Sequence, residues 1–505
     1  MQGIVNMVEQ FPVLIVTVGV FSAYTILLAG WLNKKSSFYL SFATISAQLI
    51  MAIFILRHVL TVGVIHYWLG GWRPPWGIEY VVDALNGYVL VILLFLSLMC
   101  VLYSKRNILH KIEEKKAVTY YTIFQLMVSG LCGVVVTGDV FNMYVLFEVA
   151  SLTSYALIAV AGGKALKASF NYLVLGSIGI CFYLLGVGFL YSVTGTLNMA
   201  DMRILLPPLY GNRMVQAAYA FILVGFGIKM ALFPLHTWLP DAHSYAPAEM
   251  SAMLSGIIIE VGTYAFLRIT FSVFTVEFLK VFPIFDLISW LAVVAMIYGS
   301  ILAIAQINLK RMLAYSSVAN MGYIMLGVGL STSTTLGLMP ALMHILNHAL
   351  MKACMFMVAG AFIYKFDLWN IMDLRGLGRK MPYTSLAFIL ASLSMIGLPP
   401  SVGFITKIYL IYAVVEAGNF IFLAIILLST LLMIVYFWRV IEYLYIRVGD
   451  KEERAVEIDE IPRSMLIPVV VLALLCFIMG VIWLIELPFP IMDAVNAGLG
   501  LGVVS

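Results

Sequence analysis

A chain of 505 residues in which 63% are hydrophobic and only 11% charged is not a soluble globular protein; such a protein carries charge on about a quarter of its residues. The apolar runs are continuous, about 20 residues each, with no period-two alternation, which excludes a transmembrane barrel and leaves an all-α polytopic membrane protein. The formal net charge of +4 says little by itself, and no nucleic-acid partner is expected; the placement of the few charges carries the information.

Taken in chain order, MQGIVNMVEQ lacks the basic flank of a secretory signal, so 12–31 reads as a first helix that stays in the membrane. Further spans are expected at 38–60, 82–104, 117–137, 140–161, 169–193, 214–243, 247–274, 282–305, 310–330, 335–364, 383–417, 420–446 and 464–487, about 14 transmembrane helices in all. HYWLGGWRPPWGIEYVVDALNGY (66–88) is an aromatic, Gly/Pro-rich external loop, expected to form a short hairpin before the third span. Pro234 and His236 interrupt the seventh span at FPLHTWLP, and Pro399 and Pro400 interrupt the twelfth at GLPPSVGF. Broken backbone at membrane depth is tolerated only inside protein or beside a water-filled cavity. Breaks at corresponding places in two halves point to an ion path and inverted repeats. Spans four to eight and nine to thirteen form two such sets of five, with Lys229 near the first break and Lys407 near the second. The expected organisation is a three-helix region with its external loop (1–116), a first inverted repeat (117–275), a second (276–446), and a cytoplasmic loop with the last helix (447–505). The longest polar loops, about 20 residues, are too short to form a soluble core.

Orientation follows from Lys and Arg. With both termini outside, the inside loops hold nineteen of the 29 basic residues, the outside loops only Arg73, Arg203, Arg213 and Lys280, and six lie within or at the edges of spans. The expected location is the plasma membrane of a prokaryote. Cys100, Cys132, Cys181, Cys354 and Cys476 are scattered through apolar segments with no CxxC spacing. They read as packing residues, and no cofactor is expected on this chain.

A charge at the bilayer centre costs at least about 2.5–3.5 kcal/mol, so each one is a functional candidate. The set is Glu148, Lys229, Glu260, His344, His348, Lys352 and Lys407. Arg57, His58, Arg268 and Arg439 lie nearer span ends and read as snorkelling residues. Burying an ion pair rarely improves on apolar packing, so Glu148 and Lys229 point to function. Burial favours the neutral amine and a neighbouring carboxylate favours the charged one, which makes the pair a two-state switch. His344, His348 and Lys352 are four apart, share one helical face and span roughly 12 Å, an arrangement able to relay protons. A zinc site from HxxxH is not expected, because the local sequence offers no acid or Cys to complete it.

FGIKMALFPLHTWLPDAHSYAPAEMSAML (226–254), LKRMLAYSSVANMGYI (309–324), HILNHALMKACMFMVAG (344–360) and GLPPSVGFITK (397–407) resemble the antiporter-like subunit family. That family holds the proton-pumping membrane subunits of respiratory complex I, the D subunit of multisubunit Mrp Na+/H+ antiporters, and related subunits of archaeal membrane-bound hydrogenases and sulfane reductases. The D-subunit and archaeal branch looks nearest, partly from YWLGGWRPPWGIEYVVDAL. The resemblance implies that Glu148 and Lys229 are the coupled Glu–Lys pair, that His236 shuttles protons or gates the pair, and that the histidines and Lys352 form the central hydrophilic axis. It implies that Lys407 exchanges protons with the outside, and that Tyr315, Ser316 and Ser317 line the second half-channel. Many relatives carry Lys where this chain has Glu260. The carboxylate can accept a proton, pair with Lys229 or Lys352, or supply an oxygen ligand to Na+. The expected protein is an ion-translocating subunit without redox catalysis of its own, partnered by other membrane subunits and, in some complexes, peripheral iron–sulfur and nickel subunits. The rival readings are a stand-alone secondary transporter of a small solute and a structural subunit with a decayed channel.

Overall fold

The computed structural model describes residues 7–111, 114–447, 458–485 and 489–501. Lys451 and Arg454, counted above among the inside charges, lie outside the described residues. In order, α1 (Phe11–Leu32) and α2 (Ser36–Thr61) are followed by a hairpin of β1 (Ile65–Trp68) and β2 (Glu79–Val82). Next come α3 (Ala84–Lys111), α4 (Glu114–Val136), α5 (Val140–Ala159) and α6 (Lys164–Thr194). The seventh predicted span is split into α7 (Arg213–Lys229) and α8 (Leu239–Tyr245). Then follow α9 (Ala248–Val273), α10 (Ile284–Ala305), α11 (Leu309–Leu330) and α12 (Met339–Phe366). The twelfth span is split into α13 (Pro382–Ile396) and α14 (Val402–Glu416), before α15 (Phe420–Tyr445) and α16 (Arg463–Leu484). Twelve helices among the described residues are long and apolar enough to cross a membrane. The two segments predicted to be interrupted are the pairs of shorter helices.

The expected hairpin is present, with Ile65 opposite Val82 and Trp68 opposite Glu79. Glu79 fastens it to the bundle: its carboxylate contacts His66 Nδ1 at 2.8 Å and accepts from Asn198 at 3.1 Å. Its carbonyl accepts from the Gly138 amide at 2.9 Å.

Helix α9 is buried along its whole length, while α2 and α15 present exposed apolar side chains as lipid-facing helices do. Small residues let neighbouring helices touch backbone to backbone, the usual solution where lipid removes the hydrophobic drive for association. A Cβ on Gly225 of α7 would fall 2.7 Å from the Gly179 carbonyl of α6, and one on Gly322 of α11 would fall 2.6 Å from the Ala292 carbonyl of α10.

Two stretches of backbone pair in the same way at distant points of the chain. Val140 N donates to Leu197 O and Met199 N to Gly138 O, both at 2.9 Å. Leu309 N donates to Trp369 O at 3.0 Å and Ile371 N to Ile307 O at 2.9 Å. In each case a helix starts beside the bridge with an N-cap carboxylate or amide: Asp139 accepts from Asn142 N, and Asn308 from Arg311 N.

Three of the residues read as snorkelling are wholly or partly buried in the bundle. Arg268 is buried and forks onto Asp83 through two hydrogen bonds of 2.7 and 2.8 Å. The guanidinium found a carboxylate at its own depth, so it has no need to reach the interface. Arg439 donates to the Ile304 and Gln306 carbonyls, the unpaired end of α10. His58 is buried, whereas Arg57 beside it is exposed. Lys310, expected as a loop charge, is also buried, its Nζ donating to Ala246 O at 2.6 Å.

Candidate functional site

The first station forms where α7 ends. Lys229 is its last residue, buried, and its Nζ donates to Ser151 Oγ at 2.7 Å. Ser151 lies three residues after Glu148, so both face the lysine from one side of α5. Glu148 is within electrostatic reach of Lys229, but the two make no direct ion pair among the described residues, and Glu148 Oε1 is buried with no hydrogen-bond partner. The expected pair is therefore not in direct contact, and the amine is held by a serine instead. A small cavity lined by Ser151, Tyr172, Lys229 and Ile258 adjoins it.

Breaking α7 releases carbonyls that need partners. Trp238, on the far side of the break, donates its indole N–H to Ile228 O at 2.9 Å and stacks on Tyr172 with ring centres 3.9 Å apart. Trp238→Phe keeps the stacking and removes one of two donors to that carbonyl, which also accepts from Ala231 N at 3.2 Å, at a cost of about 0.5–1.5 kcal/mol. The expected outcome is a lower unfolding temperature with partial loss of ion flux, read by thermal melting and vesicle assays. Within the break, His236 is buried between the rings of Phe233 and Tyr298, and its Nδ1 has no partner. It touches neither Lys229 nor Glu148 by a hydrogen bond among the described residues.

The second station is Glu260. Its Oε1 meets His348 Nδ1 of α12 at 2.6 Å, both groups fully buried. Neither of the lysines expected as its partner, Lys229 or Lys352, is used; a histidine is. Glu260 Oε2 and His348 Nε2 have no protein partner, so the couple has a free acceptor oxygen and a free ring nitrogen. Two wide helical turns flank it, Leu254–Ile258 and Arg268–Val273; such π-turns recur at functional sites. Gly262, two residues on, lets α9 approach the first station: a Cβ there would lie 3.2 Å from the Lys229 carbonyl carbon. The acid that the local sequence around HxxxH lacked is thus supplied by α9. Even so, no group of three or more His, Cys, Asp or Glu positioned for a metal occurs among the described residues.

One turn from His348, the His344 ring lies 6.4 Å away centre to centre and is tilted by 19°. His344 Nε2 meets Asn320 Oδ1 at 3.1 Å, and its ring packs on Tyr323 at 5.7 Å. Lys407 comes to the other side of the same tyrosine, its Nζ 5.1 Å from the ring centre, and donates to Ile396 O at 2.8 Å and Thr430 Oγ1 at 3.2 Å. Ile396 ends α13, so the carbonyl released at the second break is held by Lys407, as Trp238 holds the one at the first. Lys352 points the other way, donating to Leu313 O at 2.8 Å and to Ser316 Oγ. Ser317 meets Ser255 of α9 at 2.7 Å, and Tyr315 is half-buried. The structure therefore sets His348 against Glu260, stacks His344 one turn away, brings His344 and Lys407 to the same tyrosine, and holds Lys352 against α11.

Sequence reasoning missed Ser151, Asn320 and His243. His243 is fully buried on the Phe356 ring, with neither ring nitrogen bonded, and faces Lys310 and Lys352. Its signal was a second histidine seven residues after His236 in the same apolar stretch.

Residues 137–433 match the transmembrane family described as NADH:quinone oxidoreductase/Mrp antiporter. A chain from Desulforudis audaxviator, named as the N subunit of NADH-quinone oxidoreductase, is 42% identical over 94% of this chain and 96% of its own length. The D subunit of the Na(+)/H(+) antiporter of Bacillus subtilis is 29% identical, with 94% of each chain covered. Of these two relatives the quinone-oxidoreductase chain has the higher identity, although the external loop pointed toward the D-subunit branch. Among solved structures, a chain of an archaeal membrane-bound sulfane sulfur reductase superposes with a TM-score of 0.87 at 28% identity, covering 97% of both chains. A chain of the Mrp complex from Dietzia gives a TM-score of 0.86 at 23% identity, again over 97% of both.

Proposed function

We infer the function of this chain from its family: it belongs to the NADH:quinone oxidoreductase/Mrp antiporter transmembrane family. It is an antiporter-like membrane subunit of a multisubunit ion-translocating complex of the Mrp, complex I or sulfane reductase type. Its work is to move protons, coupled or not to Na+, along Glu148, Lys229, Glu260, His348, His344 and Lys407. Lys352 and His236 serve side branches toward the two aqueous faces. The observation that carries this reading is the Glu260–His348 contact, which links α9 of the first half to the histidine face of α12 in the second. Two further points support the organisation into inverted repeats over 117–275 and 276–446: the matched backbone bridges, and the fourth-member breaks. Counting each broken pair as one span gives fourteen, and the Lys/Arg distribution then puts both termini outside the plasma membrane of a prokaryote.

Affinity purification of the tagged chain from native membranes in mild detergent tests the assignment. The expected result is a stable multisubunit assembly that moves H+ or Na+ in vesicles and loses that flux when this chain is omitted. A lone chain that accumulates a small solute would replace this reading with a secondary transporter.

A further inference from the structure

A second charged feature lies away from the ion path, at the end of the bundle where α1 turns into α2 and α3 approaches α4. A cavity of about 350 Å³ opens there, lined by Lys34, Lys35, Lys105 and Arg106 with the rings of Tyr39 and Tyr121. Four cations converge on it, and its described lining includes no acid. The cup has a defined shape. Lys105 is set against aromatic rings, its Nζ 4.8 Å from the Phe38 centre and 5.3 Å from that of Tyr39. Lys35 N donates to Asn33 Oδ1 at 3.1 Å, which holds the backbone of the turn.

The depth of the cup is given by what surrounds it. On α1, Phe21, Tyr24, Leu28 and Trp31 are 68%, 62%, 59% and 80% exposed. Their spacing of three and four puts them on one helical face. That face is an apolar stripe along α1 that ends at Trp31, three residues before the turn that carries Lys34 and Lys35. Tyr39, 59% exposed, lines the cup from α2. Trp and Tyr at such a place mark the membrane–water interface.

We propose that this cup and stripe bind an anionic phospholipid, the phosphate held by Lys35, Lys105 and Arg106 and an acyl chain lying along Tyr24, Leu28 and Trp31. One molecule with a negative head and an apolar tail complements both halves of the surface. Basic pockets between transmembrane helices bind such headgroups, and aromatic faces around a lysine orient it without neutralising it. The site is independent of the ion path, and either assignment stands if the other fails.

The test places the full chain with its accompanying subunits in nanodiscs that contain brominated phosphatidylglycerol or brominated phosphatidylcholine. Trp31 is read by fluorescence quenching, its signal isolated by difference from a Trp31→Phe variant. Phosphatidylglycerol should quench at lower mole fraction than phosphatidylcholine, and the preference should fall about fivefold for each charge removed in Lys35→Gln, Lys105→Gln and Arg106→Gln. Lys105→Arg, which keeps the charge, should retain it and shows that loss in the glutamine variants is not misfolding. Equal quenching by the two lipids overturns the proposal. So does a preference that survives the triple variant, or one removed by millimolar inorganic phosphate, which would make the cup a site for a free anion. An acidic segment of a neighbouring subunit cross-linking to Lys35 or Lys105 in native membranes would also overturn it.

Discussion

Lys229→Ala abolishes ion translocation by the complex, to the level of vesicles lacking it, while any electron transfer in partner subunits is less affected. The reason is local. The Lys229 amine is buried within electrostatic reach of Glu148 on α5, and it is held by a single side-chain contact, to Ser151. That contact is to a hydroxyl, so the amine is tethered without being locked into an ion pair. It is free to exchange its proton when the field from Glu148 changes. Truncation to Ala also removes packing, at a cost of up to about 2–5 kcal/mol for a buried long side chain, so assembly must be checked beside flux. Lys229→Arg separates the two effects. Arg keeps the charge and much of the volume but does not release its proton in a protein. It is expected to assemble and still fail to translocate. Normal flux in either variant removes Lys229 from the path.

Glu260→Gln is the second change with a large expected effect. The amide has the volume of the carboxylate and can still bond His348, so the helix contact survives. It cannot ionise, and the couple loses the group that takes up the proton. Flux should fall close to the Lys229→Ala level while the assembly melts within a few degrees of the parent. Truncation to Ala would be less informative, since removing one partner of a buried charged contact costs about 3–5 kcal/mol by itself. Glu260→Lys reverses the charge of the station and puts an amine beside an imidazole that already lies near Lys352 and His344. The expected result is altered ion dependence measured across Na+ concentrations, with lower flux. If neither Gln nor Lys changes flux or ion dependence, α9 is not on the route.

The charged positions were legible because each is a lone titratable group in a run of apolar residues, where the cost of burial makes it stand out. The breaks were legible because proline and glycine interrupt the helix by local geometry. Partners across helices were not. The spacing of His344, His348 and Lys352 defines a face of α12, but nothing local says that Glu260, 88 residues earlier than His348, comes to that face. The partner of Arg268 was hidden for the same reason, since Asp83 is 185 residues away in sequence. Ser151 and Asn320 carried no signal of their own: neutral polar residues are common in membrane helices, and only the amine and the imidazole beside them give them a role. Lys310 sat in the sequence with loop charges, and its folding back onto the Ala246 carbonyl depends on where α8 ends.

The contact between Glu260 and His348 has an electrical consequence. A lysine station carries a positive charge while it holds the mobile proton. The carboxylate–imidazole couple is neutral when it holds one proton and negative when it holds none. The membrane potential, which acts on charge with about 2.3 kcal/mol per unit charge per 100 mV for a full crossing, therefore acts on this station when it is vacant and hardly at all when it is filled. On the proposed route, what crosses the middle of this chain behaves as a moving negative vacancy, and voltage should govern how often the station is empty.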